Sequence, residues 1–157
     1  PFTLACSILD ALPSANKYDI QILATDIDKY SLETGRSGIY TEDMVAKMPS
    51  DKAKGWFSKT ENGFEVHPDA RSLVSFKTLN LINDWPLRKQ YDAIFCRNVM
   101  IYFSTEDQGK IISKFTNHLL PEAYLYIGHS ERVVGPAEDK LISVGATTYQ
   151  FMPNGVK

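Results

Sequence analysis

The run Tyr91-Asp92-Ala93-Ile94-Phe95-Cys96-Arg97-Asn98-Val99-Met100-Ile101-Tyr102-Phe103 constrains the fold of this chain more than any other stretch. Its first half strings Ala, Ile, Phe and Cys together without alternation, the pattern of a parallel strand buried on both faces. A guanidinium and a side-chain amide, Arg97 and Asn98, then stand where such a strand should end. A second apolar burst follows, and Ser104 is placed to cap a helix. Open α/β sheets bind their ligands at the carboxyl ends of their strands. Arg97 and Asn98 are therefore either loop residues that satisfy nearby carbonyls or the rim of a binding site.

The rest of the chain extends a strand–helix rhythm. Leu4, Ile8 and Leu12, with Ala5 and Leu9, recur at helical spacing until Pro13. Asp19 to Thr25 reads as a strand ending in Asp26, and Asp28 caps a second helix to about Gly35. The pattern loosens from Ser37 to Phe76. Thr41 to Phe57, with its Met48-Pro49 breaker, reads as one or two short helices. Glu61-Asn62-Gly63 reads as a hairpin turn between Trp56–Lys59 and Phe64–Val66. Leu73 to Leu79 is a further strand. This 37–76 segment is expected to form a small inserted antiparallel β-subdomain. Ser104 to Leu120 then reads as a helix with Ile111, Phe115 and Leu119 on one face. Pro121-Glu122 turns into a strand at Ala123–Ile127, and Leu141–Val144 with Thr147–Phe151 forms a closing hairpin.

Size and composition exclude several classes. A chain of 157 residues has room for one domain with a substantial core. Its 43% hydrophobic and 23% charged residues are those of an ordinary globule, and a net charge of −2 offers no bulk attraction to nucleic acid. No apolar stretch is long enough to span a bilayer and no signal peptide is visible, so a cytoplasmic protein without membrane insertion is expected. Cys6 and Cys96 sit in apolar surroundings, which suits reduced thiols. His67, His118 and His129 are scattered, without metal-ligand spacing.

Four ordered segments are similar to one known family. They are Phe95–Phe103 (FCRNVMIYF), Ile22–Asp28 followed by Ser37-Gly38-Ile39-Tyr40, Thr78-Leu79-Asn80-Leu81, and Gly128-His129-Ser130-Glu131. Together they resemble the CheR-type chemotaxis receptor methyltransferases, which move a methyl group from S-adenosylmethionine (SAM) to receptor glutamates. The resemblance implies an α/β fold, a Rossmann-like SAM-dependent methyltransferase sheet with a closing antiparallel hairpin. It also implies SAM as cofactor and S-adenosylhomocysteine as product. Asp26 would take the ribose hydroxyls, a role its place at a strand end suits. Asn80 and Leu81 would contact adenine. Arg97 and Asn98 would lie at the methionine side and ribose rim, with Arg97 pairing a carboxylate of cofactor or substrate. Tyr102 would line the methyl-transfer site. Glu131 and His129 need not act as acid or base, because glutamate is already ionised at neutral pH. Gly128–Glu131 is read as structural, with His129 and Ser130 bonding loop backbone.

Departures from the family shape the remaining expectations. The chain opens at Pro1-Phe2-Thr3, where the family's glycine-containing loop would finish. The resemblance thus implies a partial catalytic domain over 1–157 that lacks the first, central strand and the loop cradling the methionine part of SAM. The empty slot should lie between the strands ending at Thr25 and Cys96, to be filled by upstream residues or by another chain in a strand-swapped dimer. Pro121-Glu122-Ala123 replaces a Pro-Gly-Gly turn. The expected partners are chemoreceptor cytoplasmic helices, contacted through the 37–76 subdomain with its Lys52, Lys54, Lys59 and Arg71. The short turn at Glu61-Asn62-Gly63 argues against docking of a receptor's C-terminal peptide. An alternative reading is a non-catalytic methyltransferase-like docking or regulatory module. A nicotinamide-dependent dehydrogenase accounts for Asp26 but not for the FCRNVMIYF and GHSE runs or the closing hairpin.

Overall fold

The computed structural model describes residues 1–12, 14–48 and 55–155. Pro13, the Pro49 half of the breaker, Lys52 and Lys54 lie outside the described residues. The chain divides into two compact units, Pro1–Asn80 and Leu81–Lys157.

In the first unit, α1 (Phe2–Ala11) precedes β1 (Ile22–Asp26). The buried stripe of α1 is Phe2, Ala5 and Cys6. It is offset from the Leu4–Ile8–Leu12 stripe that spacing predicts, because the Phe2 ring is drawn between Tyr40 at 6.1 Å and Phe76 at 5.8 Å. α2 (Lys29–Ser37) begins at Asp28, whose carboxylate accepts the Tyr30 and Ser31 N–H groups, and ends at Gly38 in the left-handed conformation with φ 65°. The expected antiparallel segment is a three-stranded sheet in the order β2 (Ile39–Tyr40), β4 (Gly63–Val66), β3 (Phe57–Thr60). Between β2 and β3 lies the short α3 (Glu42–Val45).

That sheet has no core to itself. Val66 joins Phe2, Ala5, Cys6 and Ala70 in one buried cluster with Tyr40, Trp56, Phe57 and Phe76 around it. Trp56 Nε1 also donates to Asp10 Oδ1 at 2.8 Å. After α4 (Pro68–Ser72), β5 (Val74–Thr78) leaves the antiparallel pattern and pairs in parallel with β1, Asp26 opposite Thr78.

In the second unit, β6 (Tyr91–Cys96) runs parallel to β7 (Leu119–Ile127), and β9 (Thr148–Phe151) inserts antiparallel between β7 and β8 (Leu141–Gly145). The closing hairpin is therefore present, with its second strand turned inward onto β7. α5 (Thr105–Asn117) starts at a Ser104 N-cap, Ser104 Oγ accepting the Asp107 N–H at 3.1 Å and donating to Asp107 Oδ2 at 2.8 Å. The helix stops at Asn117 rather than Leu120, and Leu119 already belongs to β7. Ile111, Ile112, Phe115 and Leu119 are all buried against Leu125, Ile127 and Met100. Each such side chain contributes about 1.5–3 kcal/mol by leaving water.

β7 starts earlier than the Pro121-Glu122 pair suggests. The turn is absorbed as a bulge, where pairing jumps from Tyr91–Leu119 to Ala93–Tyr124 and Glu122 takes φ 66°. The opposite sheet face is open. Phe95 is 51% exposed and stacks on Tyr126 at 4.3 Å, beside the exposed Tyr124. Among the described residues, β1 pairs only with β5 and β6 only with β7.

Candidate functional site

Both parallel pairs deliver their chemistry at carboxyl ends. Asp26 is the last residue of β1, and Asn80 lies two residues beyond its neighbour β5. Parallel register brings those two ends to one edge, and Leu79 N–H donates to Asp26 O at 3.0 Å. The Asp26 carboxylate is exposed, with Oδ1 accepting the Asp28 N–H at 2.9 Å. Asp28, not Asp26, caps the helix, as its place nearer the helix predicts. The Asp28 carboxyl is held below its ordinary pKa, chiefly by the Ser31 hydroxyl and then by the Ser31 and Tyr30 N–H groups.

In the second unit, β6 ends at Cys96 opposite Ile127 of β7. Arg97 and Asn98 follow one strand, and Gly128–Glu131 follow the other. Arg97 is exposed and anchored by its Nε, which donates to Ile127 O at 3.2 Å. Asn98 adopts the left-handed conformation, φ 59°, which the amide-bearing residue tolerates better than most. Tyr102 sits in a 3-10 turn over Met100–Tyr102 and is 82% exposed, open to a partner or ligand rather than part of the core. Leu81 begins the unit half-buried against its core.

What holds the Arg97–Met100 loop is Glu131. Its buried carboxylate accepts four backbone N–H groups, from Gly128 at 2.5 Å, Asn98 at 3.1 Å, Val99 at 2.8 Å and Met100 at 2.7 Å. Burial alone would raise its pKa. The N–H donors of Gly128, Asn98, Met100 and Val99 outweigh that, and the carboxyl lies below its usual range. The same carboxylate and burial push the neighbouring Cys96 thiol up to about 12, burial being the larger cause. Cys96 is thus an inert packing residue. The role expected of His129 and Ser130, both exposed, falls to Glu131. Gly128 is required here: a Cβ would strike Asn98 Oδ1 and come within 2.8 Å of Glu131 Oε2.

The residues expected to bind a cofactor therefore fall in two sets. Asp26 and Asn80 share the edge of the first unit, while Leu81, Arg97 and Asn98 belong to the second. No cluster of three or more His, Cys, Asp or Glu able to hold a metal occurs among the described residues. Nor is any described helix long and apolar enough to cross a membrane.

Residues 1–150 match the family model described as CheR methyltransferase, SAM binding domain. A probable chemotaxis protein methyltransferase of Rhizobium etli is 40% identical over 99% of this chain and 60% of its own length. Chemotaxis protein methyltransferases of Borreliella burgdorferi and Pseudomonas aeruginosa are 37% and 35% identical, over 86% and 95% of this chain and 49% and 54% of theirs. The chain spans about half to three-fifths of the length of these relatives.

Proposed function

Because the chain belongs to the CheR methyltransferase family, we propose that the intact protein binds SAM and methylates glutamate side chains of chemoreceptors. The observation that carries this reading is the family match over residues 1–150, whose strand ends bear Asp26, Arg97 and Asn98. When bound, SAM supplies an activated methyl group on a sulfonium.

In this reading Asp26 accepts the ribose hydroxyls, while Asn80 and Leu81 face the adenine. Arg97, braced on Ile127 O, directs its guanidinium at the carboxylate of the cofactor or of the substrate glutamate. Asn98 completes the rim in the conformation that Glu131 holds for it. Tyr102 lines the place where the substrate side chain enters. The attacking carboxylate is ionised at neutral pH, so no residue must remove a proton from it. Glu131, saturated by backbone donors, is not available to do so. The protein's contribution is alignment of the carboxylate and exclusion of water around it.

Receptor helices would meet the antiparallel sheet of the first unit, where Lys59 is exposed. Arg71 has a different task. Its Nη1 pairs with Glu65 Oε1 at 2.8 Å and its Nη2 donates to Arg36 O at 3.2 Å, so it ties the subdomain to α2. The tight turn between β3 and β4 leaves little room for an added peptide strand. The test is incubation of the intact protein with methyl-labelled SAM and receptor cytoplasmic fragments. Label should enter the receptor and leave as methanol in mild base, as an ester does. Base-stable label, or none, would refute glutamate methylation.

A further inference from the structure

Lys114 does something that a surface lysine does not. Its ammonium donates to three successive main-chain carbonyls, Leu81 O at 3.2 Å, Ile82 O at 2.7 Å and Asn83 O at 2.8 Å. Three donors are all that an ammonium has, so the group is saturated by one short segment. Neighbouring carbonyls turned to one point repel each other, and that conformation persists because a cation sits among them.

The clamp is built, not incidental. Lys114 lies in the last turn of α5, and its ammonium is 5.6 Å from the centroid of the Trp85 ring. Trp85 Nε1 donates to the same Leu81 carbonyl at 3.2 Å. The indole in turn stacks on His118 at 5.5 Å and leans on Phe115 at 5.4 Å. Leu81 thus has its carbonyl held from two sides while its side chain stays half-exposed. The segment follows the carboxyl end of parallel strand β5, the position at which α/β sheets hold ligands.

We infer that Lys114 is a positioning residue, which presets the 81–83 segment so that Leu81 meets the nucleobase of SAM. This rests on the reading of Leu81 as a nucleobase contact and adds the device that holds it. Lys114 touches no cofactor atom itself. Its effect passes through the main chain, so it must be coupled to Leu81.

The experiment is a thermodynamic cycle on the intact protein, with S-adenosylhomocysteine as the titrant. K114M should weaken binding by about tenfold, a factor corresponding to about 1.4 kcal/mol. K114R, which keeps charge and donors, should restore most of it and guards against loss through misfolding. L81A should also weaken binding, and the double variant K114M/L81A should be no weaker than the worse single one. A merely structural role would instead give effects that multiply, which would overturn the inference. Weakened L81A beside unaffected K114M would overturn the clamp alone. L81A binding as the wild type does would remove the nucleobase contact, and the role of Lys114 with it.

Discussion

Glu131 is a carboxylate used as a structural ion. Its four acceptor contacts gather main-chain donors from both strand ends, so replacing it leaves several buried N–H groups without a partner. A glutamine is nearly isosteric, but it turns an NH2 toward donors. We expect E131Q to lower unfolding stability by about 2–3 kcal/mol, measured by urea denaturation. The pH dependence has a definite sign. A carboxyl with a depressed folded-state pKa contributes fully above its ordinary value of about 4.3. That contribution is lost as pH falls through the lower folded-state value. The gap between wild type and E131Q should therefore narrow in acid. A gap that is constant down to pH ~3 would contradict an ionised Glu131. Asp26 is the second residue to test. Its carboxylate is exposed and the capping of α2 is done by Asp28, so D26A should keep the fold. Affinity of the intact protein for S-adenosylhomocysteine should fall by about 1.5–3 kcal/mol, the scale of hydrogen bonds to a charged group. Unchanged affinity would end the ribose role.

At the scale of elements, the bulge in β7 stores a local cost. Glu122 has a φ of 66°, where a residue with a Cβ is disfavoured by roughly 1–2 kcal/mol. Gln150 Nε2 donates to the Glu122 carbonyl at 3.1 Å and fixes the distortion from β9. Glycine relieves the strain but adds entropy to the unfolded chain, so E122G should stabilise by a net of about 0.5–1 kcal/mol. A lower melting temperature for E122G would show that the Glu122 side chain makes a compensating contact. The same strand shows where sequence reading stops. β1, β6 and the closing hairpin are visible because uninterrupted or alternating apolar runs are bounded by Asp, Arg or Gly. The start of β7 is hidden because Pro121-Glu122 has turn chemistry, and Leu119 continues the i, i+4 spacing of α5 from Phe115. Asp28 as a cap is legible because a cap is local. Glu131 is not, because three of its partners are main-chain N–H groups about thirty residues away, which carry no side-chain signature. Lys114 is hidden for the same reason, its acceptors being carbonyls.

At the scale of the whole molecule, the sheets present unfinished surfaces. Among the described residues β6 has a neighbour on one side only, and so has β1. Beside the β6 edge, Phe95 and Tyr124 are 51% and 39% exposed on the sheet face away from α5. Unpaired strand edges next to exposed aromatic surface recruit other chains. The 157-residue chain expressed by itself should therefore self-associate, eluting with a light-scattering mass above its 17.7 kDa. The cause can be separated from general instability. F95K places a charge on the open face and should shift the population toward monomer, at a stability cost of no more than about 0.5–1.5 kcal/mol for the lost stacking on Tyr126. A chain that stays monomeric at concentrations of ~100 μM, well into the range where exposed edges aggregate, would show that both edges are protected. The expectation of a central strand between the ends at Thr25 and Cys96 would then have to be given up.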